Sequence, residues 1–244
     1  MMLKPRVVMV RRVFLVAMLF FSTASVFPGV RRPPVTLGDN YMIGYGSLMQ
    51  KQSRLRTAPC AKTALPVEVS GFQRVFGLRG SASYPTTFLA VKQSPQSTMN
   101  AVAFAVSADE IKNMDRRERG YDRIKVPATA LECFSQKKSF RDSDVWIYAN
   151  PRNRPMQKAT RRFPLTQSYV DLFLSGCFQL QEEYKLKDFA RKCVTSTQGW
   201  PRPAAWVNDR VHARRPFEKP FANKIDRLLR DSPKILHYTR HRIE

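Results

Sequence analysis

The sequence predicts an α+β domain in which a sheet or compact barrel carries helices on its outside. Three observations lead there. Short apolar or alternating runs are bounded by Gly, Pro and Ser, as strands are. Four stretches, 108–118, 167–177, 181–193 and 221–230, repeat their apolar residues at helical spacing. The two kinds of run lack the regular alternation that builds parallel βαβ units. With 244 residues the chain has room for one domain and a presequence, and its 43% hydrophobic content and 16 Phe supply a core.

Taken in order, residues 1–35 hold a basic start ending in Arg11 and Arg12, an apolar run from Val13 to Phe21, and small residues from Ser22 to Ser25. That is the layout of a signal peptide, and the run is short for a bilayer span, so a signal anchor is the alternative. The stretch "ASVFPG" resembles the cleavage motif of bipartite plastid presequences. The chain is therefore expected in the secretory pathway or a plastid, and residues 1–35 are set apart from the fold.

A buried strand is predicted over 41–45, followed by strands over 67–72 and 74–78 with Gly71 marking a bulge. Strands over 87–91 and 101–106 follow, with a turn at Pro95 and Gln96. The second of these, "AVAFAV", is apolar throughout and so buried on both faces. Residues 124–126 and 145–149 complete the strands. "RNRPMQKATRR" reads as an exposed basic loop, and "QGWPRPAAW" as a loop that packs its tryptophans on the body. The domain is expected over 36–215, with a basic C-terminal helix and tail over 216–244.

Charge and cysteine usage narrow the function. The formal net charge is +23, and taking away the six basic residues of 1–35 leaves +17, which favours anionic partners. No block of five or six like charges occurs, so a solvated basic surface is the simpler reading. Cys60, Cys133, Cys177 and Cys193 form no C-x-x-C pair, and the three histidines, His212, His237 and His241, all come late. A zinc site is not expected. Four thiols suit either two disulfides or scattered core cysteines, and the second is taken here.

The most informative stretch is residues 106–126. Ser107 and Glu110 have the spacing of a capping box, and Gly120 is placed to end the helix as a left-handed residue after Arg119. Between those ends Ile111, Met114 and Glu118 share one face, because residues at i, i+3 and i+7 do. Glu118 thus lies on an apolar side. Burial and the negative end of the helix dipole both raise its pKa, while Arg117, Arg119 and Arg123 oppose them. A glutamate so placed suits general acid–base work. On the pattern alone, a structural salt bridge to one of those arginines is the simpler reading.

"YGSL" (45–48), "GFQRVF" (71–76), "MDRRERGYDRIKV" (114–126), "WIYAN" (146–150), "PLTQSYVDLFLSGC" (164–177) and "GWPRPAAWVNDR" (199–210), in that order, resemble the γ-glutamylcyclotransferase superfamily. The resemblance implies that superfamily's mixed β-sheet or small barrel with flanking helices. It implies Glu118 as the catalytic glutamate and Tyr45, Gly46, Ser47 and Leu48 as the substrate-binding loop. Tyr148 and Tyr169 match tyrosines that border the substrate pocket. Many relatives carry Asn at the position of Leu48. The implied reaction closes a γ-glutamyl group to 5-oxoproline and releases an amine or amino acid, with no cofactor. Its partner is a small γ-glutamyl molecule, and the protein is expected as a monomer or dimer. Membrane contact is expected only through an uncleaved N-terminal segment.

Two other classes remain open at this point. A basic nucleic-acid-binding protein would account for the charge, but the aromatics are spaced as core residues rather than as a stacking platform. An inactive scaffold on the same fold is the third reading. Ser47 has no histidine near it in the motif order, so a serine hydrolase triad is not expected.

Overall fold

The computed structural model describes residues 40–134, 139–235, 238 and 242–243. The predicted presequence, 1–35, lies outside the described residues, as do His237 and His241 of the basic tail. The elements are β1 (Asn40–Gly44), α1 (Lys51–Thr57), β2 (Ala64–Arg79), β3 (Thr87–Ala105), α2 (Ala108–Arg117), β4 (Asp122–Lys125), β5 (Leu131–Cys133) and β6 (Asp144–Ala149). They continue with β7 (Leu165–Thr166), α3 (Gln167–Glu183), α4 (Phe189–Thr195), β8 (Thr197–Gln198), β9 (Trp206–Asn208), α5 (Ala222–Arg230) and β10 (Arg242–Ile243). The chain is α+β.

Seven strands make one mixed sheet in the order β4-β6-β1-β3-β2-β5, with β8 also pairing β2. β1 runs antiparallel to β3 and parallel to β6, so it is central. That position suits its sequence, since Met42, Ile43 and Gly44 are buried. A second, three-stranded sheet joins β7, β9 and β10 in parallel. The main sheet does not close into the small barrel that was one expectation. Its end strands β4 and β5 are four and three residues long and, among the described residues, pair only with β6 and β2.

The sheet is dominated by the long β2–β3 hairpin. Gly71 does mark a bulge: its φ of 82° is a left-handed value, and the register shifts between Ser70 and Phe72. The turn expected at Pro95 and Gln96 is not a turn. β3 passes through it, and four residues, 94–97, bulge out opposite Gly71 while pairing resumes on both sides. A proline fits there because the bulged residues give up ladder hydrogen bonds.

α3 is buried almost along its length, with Val170, Phe173, Leu174 and Cys177 inaccessible to solvent. It extends to Glu183, and the helix expected over 181–193 is replaced by its last turn, a break and the short α4. Lys185 and Asp188 adopt left-handed backbone at the break, with φ of 52° and 56°. The apolar spacing survives because Leu180, Phe189, Ala190 and Cys193 all face the same core from either side of it. Cys177 and Cys193 join the two helices as a disulfide, so the expectation of four scattered thiols fails for this pair. Cys60 is a free cysteine. α5 buries Ile225 and Leu229. Among the described residues no helix is long and apolar enough to cross a membrane.

Candidate active site

The site is built where β1 ends. The chain leaves the sheet at Gly44 and turns through a 3-10 segment, Ser47–Met49, before α1. Two glycines let this loop sit where it does. A Cβ on Gly46 would lie 3.0 Å from the Tyr169 hydroxyl. A Cβ on Gly176 of α3 would lie 2.3 Å from the Gln50 nitrogen, so α3 presses directly on the loop backbone. From the other side Arg54 donates to the Leu48 and Met49 carbonyls, each at 3.1 Å.

Underneath lies Arg74 of β2, fully buried and without a carboxylate partner among the described residues. Its guanidinium donates to the Asn100 carbonyl (2.7 Å), Asn100 Oδ1 (3.1 Å), the Cys193 carbonyl (2.9 Å), Ser196 Oγ (2.8 Å) and Thr197 Oγ1 (2.7 Å). A longer contact of 3.4 Å reaches the Tyr45 carbonyl at the start of the loop. Burial lowers the Arg74 pKa to about 9, which leaves it charged at neutral pH. The sequence reading passed over this residue. Its signal was the alternation Phe72, Arg74, Phe76, which at strand period 2 puts an arginine on a face otherwise given to phenylalanine.

α2 approaches from across the loop. The capping box forms as expected, with Ser107 Oγ accepting the Glu110 amide at 3.1 Å and Glu110 Oε2 accepting the Ser107 amide at 2.8 Å. The other end differs from expectation. The helix stops at Arg117 with Glu118 as its cap, and Gly120 is not left-handed. The Tyr121 amide bonds the Glu118 carbonyl at 2.9 Å, a tight turn that sends the chain straight into β4. Ile111 and Met114 are buried as predicted.

Tyr45, Gly46, Ser47, Leu48, Glu118, Tyr148 and Tyr169 all line one cavity of about 240 Å³. Arg117, Tyr121, Phe88, Leu89 and Arg215 share the wall. The Glu118 side chain is 19% exposed, and Arg117 Nε stands 3.2 Å from its Oε1, so the salt bridge weighed as an alternative does exist. Burial nevertheless raises the Glu118 pKa, against the pull of Arg117 and Arg215.

The tyrosines form a frame of donors. Tyr45 Oη donates to the Tyr148 carbonyl at 2.7 Å, and Tyr121 Oη to the Leu89 carbonyl at 3.2 Å. Tyr148 Oη donates to Asp115 Oδ1 at 2.7 Å, which also takes Arg123 Nε at 2.9 Å. Tyr169 Oη accepts the Leu89 amide at 3.2 Å, leaving its own proton for a ligand. Burial pushes the Tyr169 pKa up to about 12 and raises those of Tyr45, Tyr121 and Tyr148, so all four keep their protons at neutral pH. Asp115 was not singled out by the sequence, although its spacing from Arg123 across the turn was visible.

Among the described residues Glu118 is the one carboxyl in this wall. A larger open cleft of about 970 Å³, lined by Lys92, Lys125, Arg152 and Arg154 among others, shares no described residue with it and has no carboxyl among the described residues. Among the described residues no group of three His, Cys, Asp or Glu is placed to hold a metal. The arrangement can accept and return a proton beside several fixed donors.

Solved structures similar to this chain include a γ-glutamyl cyclotransferase, 16% identical with a TM-score of 0.47, where 64% of this chain and 86% of that one are covered. An uncharacterized protein from Homo sapiens gives the same identity, TM-score and coverage, 16%, 0.47, 64% and 86%. A γ-glutamyl cyclotransferase specific to glutathione from yeast is 12% identical with a TM-score of 0.37, covering 64% of this chain and 94% of that one. Among curated proteins there is no match. The family model described as gamma-glutamyl cyclotransferase, AIG2-like matches residues 42–169, more than half of the chain. The chain belongs to the γ-glutamyl cyclotransferase, AIG2-like family.

Proposed function

We propose that this protein closes a γ-glutamyl group to 5-oxoproline, with Glu118 as the proton carrier. The observation that supports it most is the position of that carboxyl. It shares a cavity of about 240 Å³ with the Gly46–Ser47 bend, and burial holds its pKa above the ordinary range. Such a group is a competent base when ionised and a competent acid once protonated.

The substrate carries both reacting partners, its own α-amine and its γ-carbonyl. The cavity therefore acts mainly by holding the folded-back conformer, which accounts for much of the acceleration in intramolecular reactions. Glu118 removes a proton from the α-ammonium. The freed nitrogen attacks the γ-carbon, and the carbonyl oxygen becomes anionic. As the C–N bond to the leaving amine breaks, Glu118 returns the proton to the departing nitrogen, and the ring nitrogen sheds its second proton, which the released amine takes up as its ammonium. Two sites on the substrate call for donors, the oxyanion and the α-carboxylate. The amides of Gly46 and Ser47, at the open end of the 3-10 turn, and the Tyr169 hydroxyl proton are the donors at hand.

The test is direct. The purified protein is given γ-glutamyl amino acids, γ-glutamylamines and glutathione without added metal, and 5-oxoproline is measured. Release from at least one of them is expected. Failure on every member of the panel by folded protein overturns the reading. A steep loss of RNA or DNA binding on raising salt would instead support the nucleic-acid reading.

A further inference from the structure

We propose that Arg215 holds a carboxylate on the leaving group, so that this protein acts on γ-glutamyl amino acids and peptides in preference to γ-glutamylamines. The inference rests on the cyclotransferase reading and names its substrate class.

Arg215 comes from outside the residues that match the family model, which end at 169. Its placement is built rather than incidental. The Arg215 amide donates to Ser168 Oγ at 3.1 Å, one residue before Tyr169. Ser168 Oγ in turn donates to Asp209 Oδ2 at 2.6 Å, and the Arg214 amide reaches the same oxygen at 2.9 Å. Asp209 is itself buried. Next along the chain, Arg210 clamps the segment by pairing with Asp171 of α3 at 2.8 Å and Asp226 of α5 at 2.7 Å. The backbone carrying Arg215 is thus tied to the helix that carries Tyr169.

Among the described residues the side chain has no hydrogen bond or ion pair of its own. It lines the cavity, with its guanidinium 5.3 Å from the centre of the Phe88 ring and 5.6 Å from that of Tyr84. Its Nε is buried without an acceptor. No carboxylate pairs with it among the described residues. Arg117, the other cation in the wall, is already engaged by Glu118 and Thr57 Oγ1. A guanidinium held at a cavity wall with an unmet donor is suited to a planar carboxylate, which accepts two parallel hydrogen bonds.

Two considerations place that carboxylate on the leaving group. The first is charge. Arg117, Arg215 and ionised Glu118 leave one positive charge in excess in the wall. A γ-glutamyl amino acid carries one net negative charge at neutral pH, and a γ-glutamylamine carries none. The second is position. Gly46, Leu89 and Tyr169 gather at the bend, whereas the Arg215 guanidinium stands against the Phe88 and Tyr84 rings, the Phe88 ring being 5.1 Å from that of Tyr169. The glutamyl head occupies the bend and the leaving group extends past Phe88.

The decisive pair is γ-glutamylalanine and γ-glutamylethylamide, which differ only by the leaving group's carboxylate. The full chain, as wild type, Arg215→Ala and Arg215→Lys, is assayed on both by 5-oxoproline release, with melting curves to confirm folding. Wild type is expected to favour γ-glutamylalanine by at least about tenfold in kcat/KM, the scale of one charge-assisted contact. Arg215→Ala should lose at least about tenfold more on γ-glutamylalanine than on the ethylamide, chiefly through KM, and Arg215→Lys should recover part of the preference. Equal wild-type rates on the two, or an equal loss on both in Arg215→Ala, overturns the assignment while the cyclotransferase reading stands. Absence of 5-oxoproline from both substrates and from the rest of the γ-glutamyl panel sinks that reading instead.

Discussion

At the first turn of α2, Glu110 is only 6% exposed, yet both of its oxygens are occupied: Oε1 accepts the Cys60 amide and Oε2 the Ser107 amide, each at 2.8 Å. At the last turn Glu118 is 19% exposed on its side chain and, among the described residues, has one ion-pair partner, Arg117, which is itself 39% exposed. One helix thus carries a carboxylate locked into structure and another left with capacity to spare. Burial alone does not make an acid useful. The number of donors already committed to it does, because each donor stabilises the anion and removes a lone pair from chemistry. Position on the helix reinforces the contrast, since the dipole favours an anion at the start and disfavours one at the end.

The contrast can be broken by exchanging each acid for its amide. Glu118→Gln should keep the fold and lower 5-oxoproline turnover by about two to four decades, the scale of a lost acid–base group; a variant within a few-fold of wild type removes Glu118 from the mechanism. Moving the loop instead of the acid is the next largest change. In Gly176→Ala the new methyl meets the Gln50 backbone at 2.3 Å, so a loss of about 1–3 kcal/mol in denaturant unfolding is expected, together with a raised KM. Glu110→Gln should cost about 1 kcal/mol through the weakened cap while leaving turnover within a few-fold.

The smallest effect is a pH dependence of stability. The folded-state pKa of Glu118 is raised, so the unfolded chain ionises first as pH climbs. Stability is therefore unpenalised below the ordinary carboxylate value, falls as pH rises through it, and levels off once folded Glu118 has ionised. Glu118→Gln escapes that penalty. Its Tm relative to wild type should increase between pH 4 and pH 7, and a difference that shrinks would contradict the raised pKa.

How much of this was legible depended on how local the cause was. Ser107 and Glu110 announced their cap because the two residues that form it are three apart. The end of α2 was misjudged by two residues, because β4 pairing with β6 draws the chain into an earlier turn than Gly120 suggested. The disulfide went unread because Cys177 and Cys193 meet only after α3 overruns its expected length and the chain doubles back. The loop, Glu118, Tyr148 and Tyr169 were found together because the order of their motifs resembles one superfamily. Arg215 could not be found that way. Its place depends on Ser168, 47 residues earlier, and on a network through Asp171 and Asp226 that only the folded chain assembles.

The central claim is that the Glu118 carboxyl trades protons with the substrate. Its most direct test is the acid limb of kcat/KM for 5-oxoproline release, recorded for wild type and for the residual activity of Glu118→Gln. The account predicts a wild-type limb displaced above the ordinary carboxylate range, falling as pH drops, and no such limb in the variant. The same limb surviving in Glu118→Gln would assign the proton to another group.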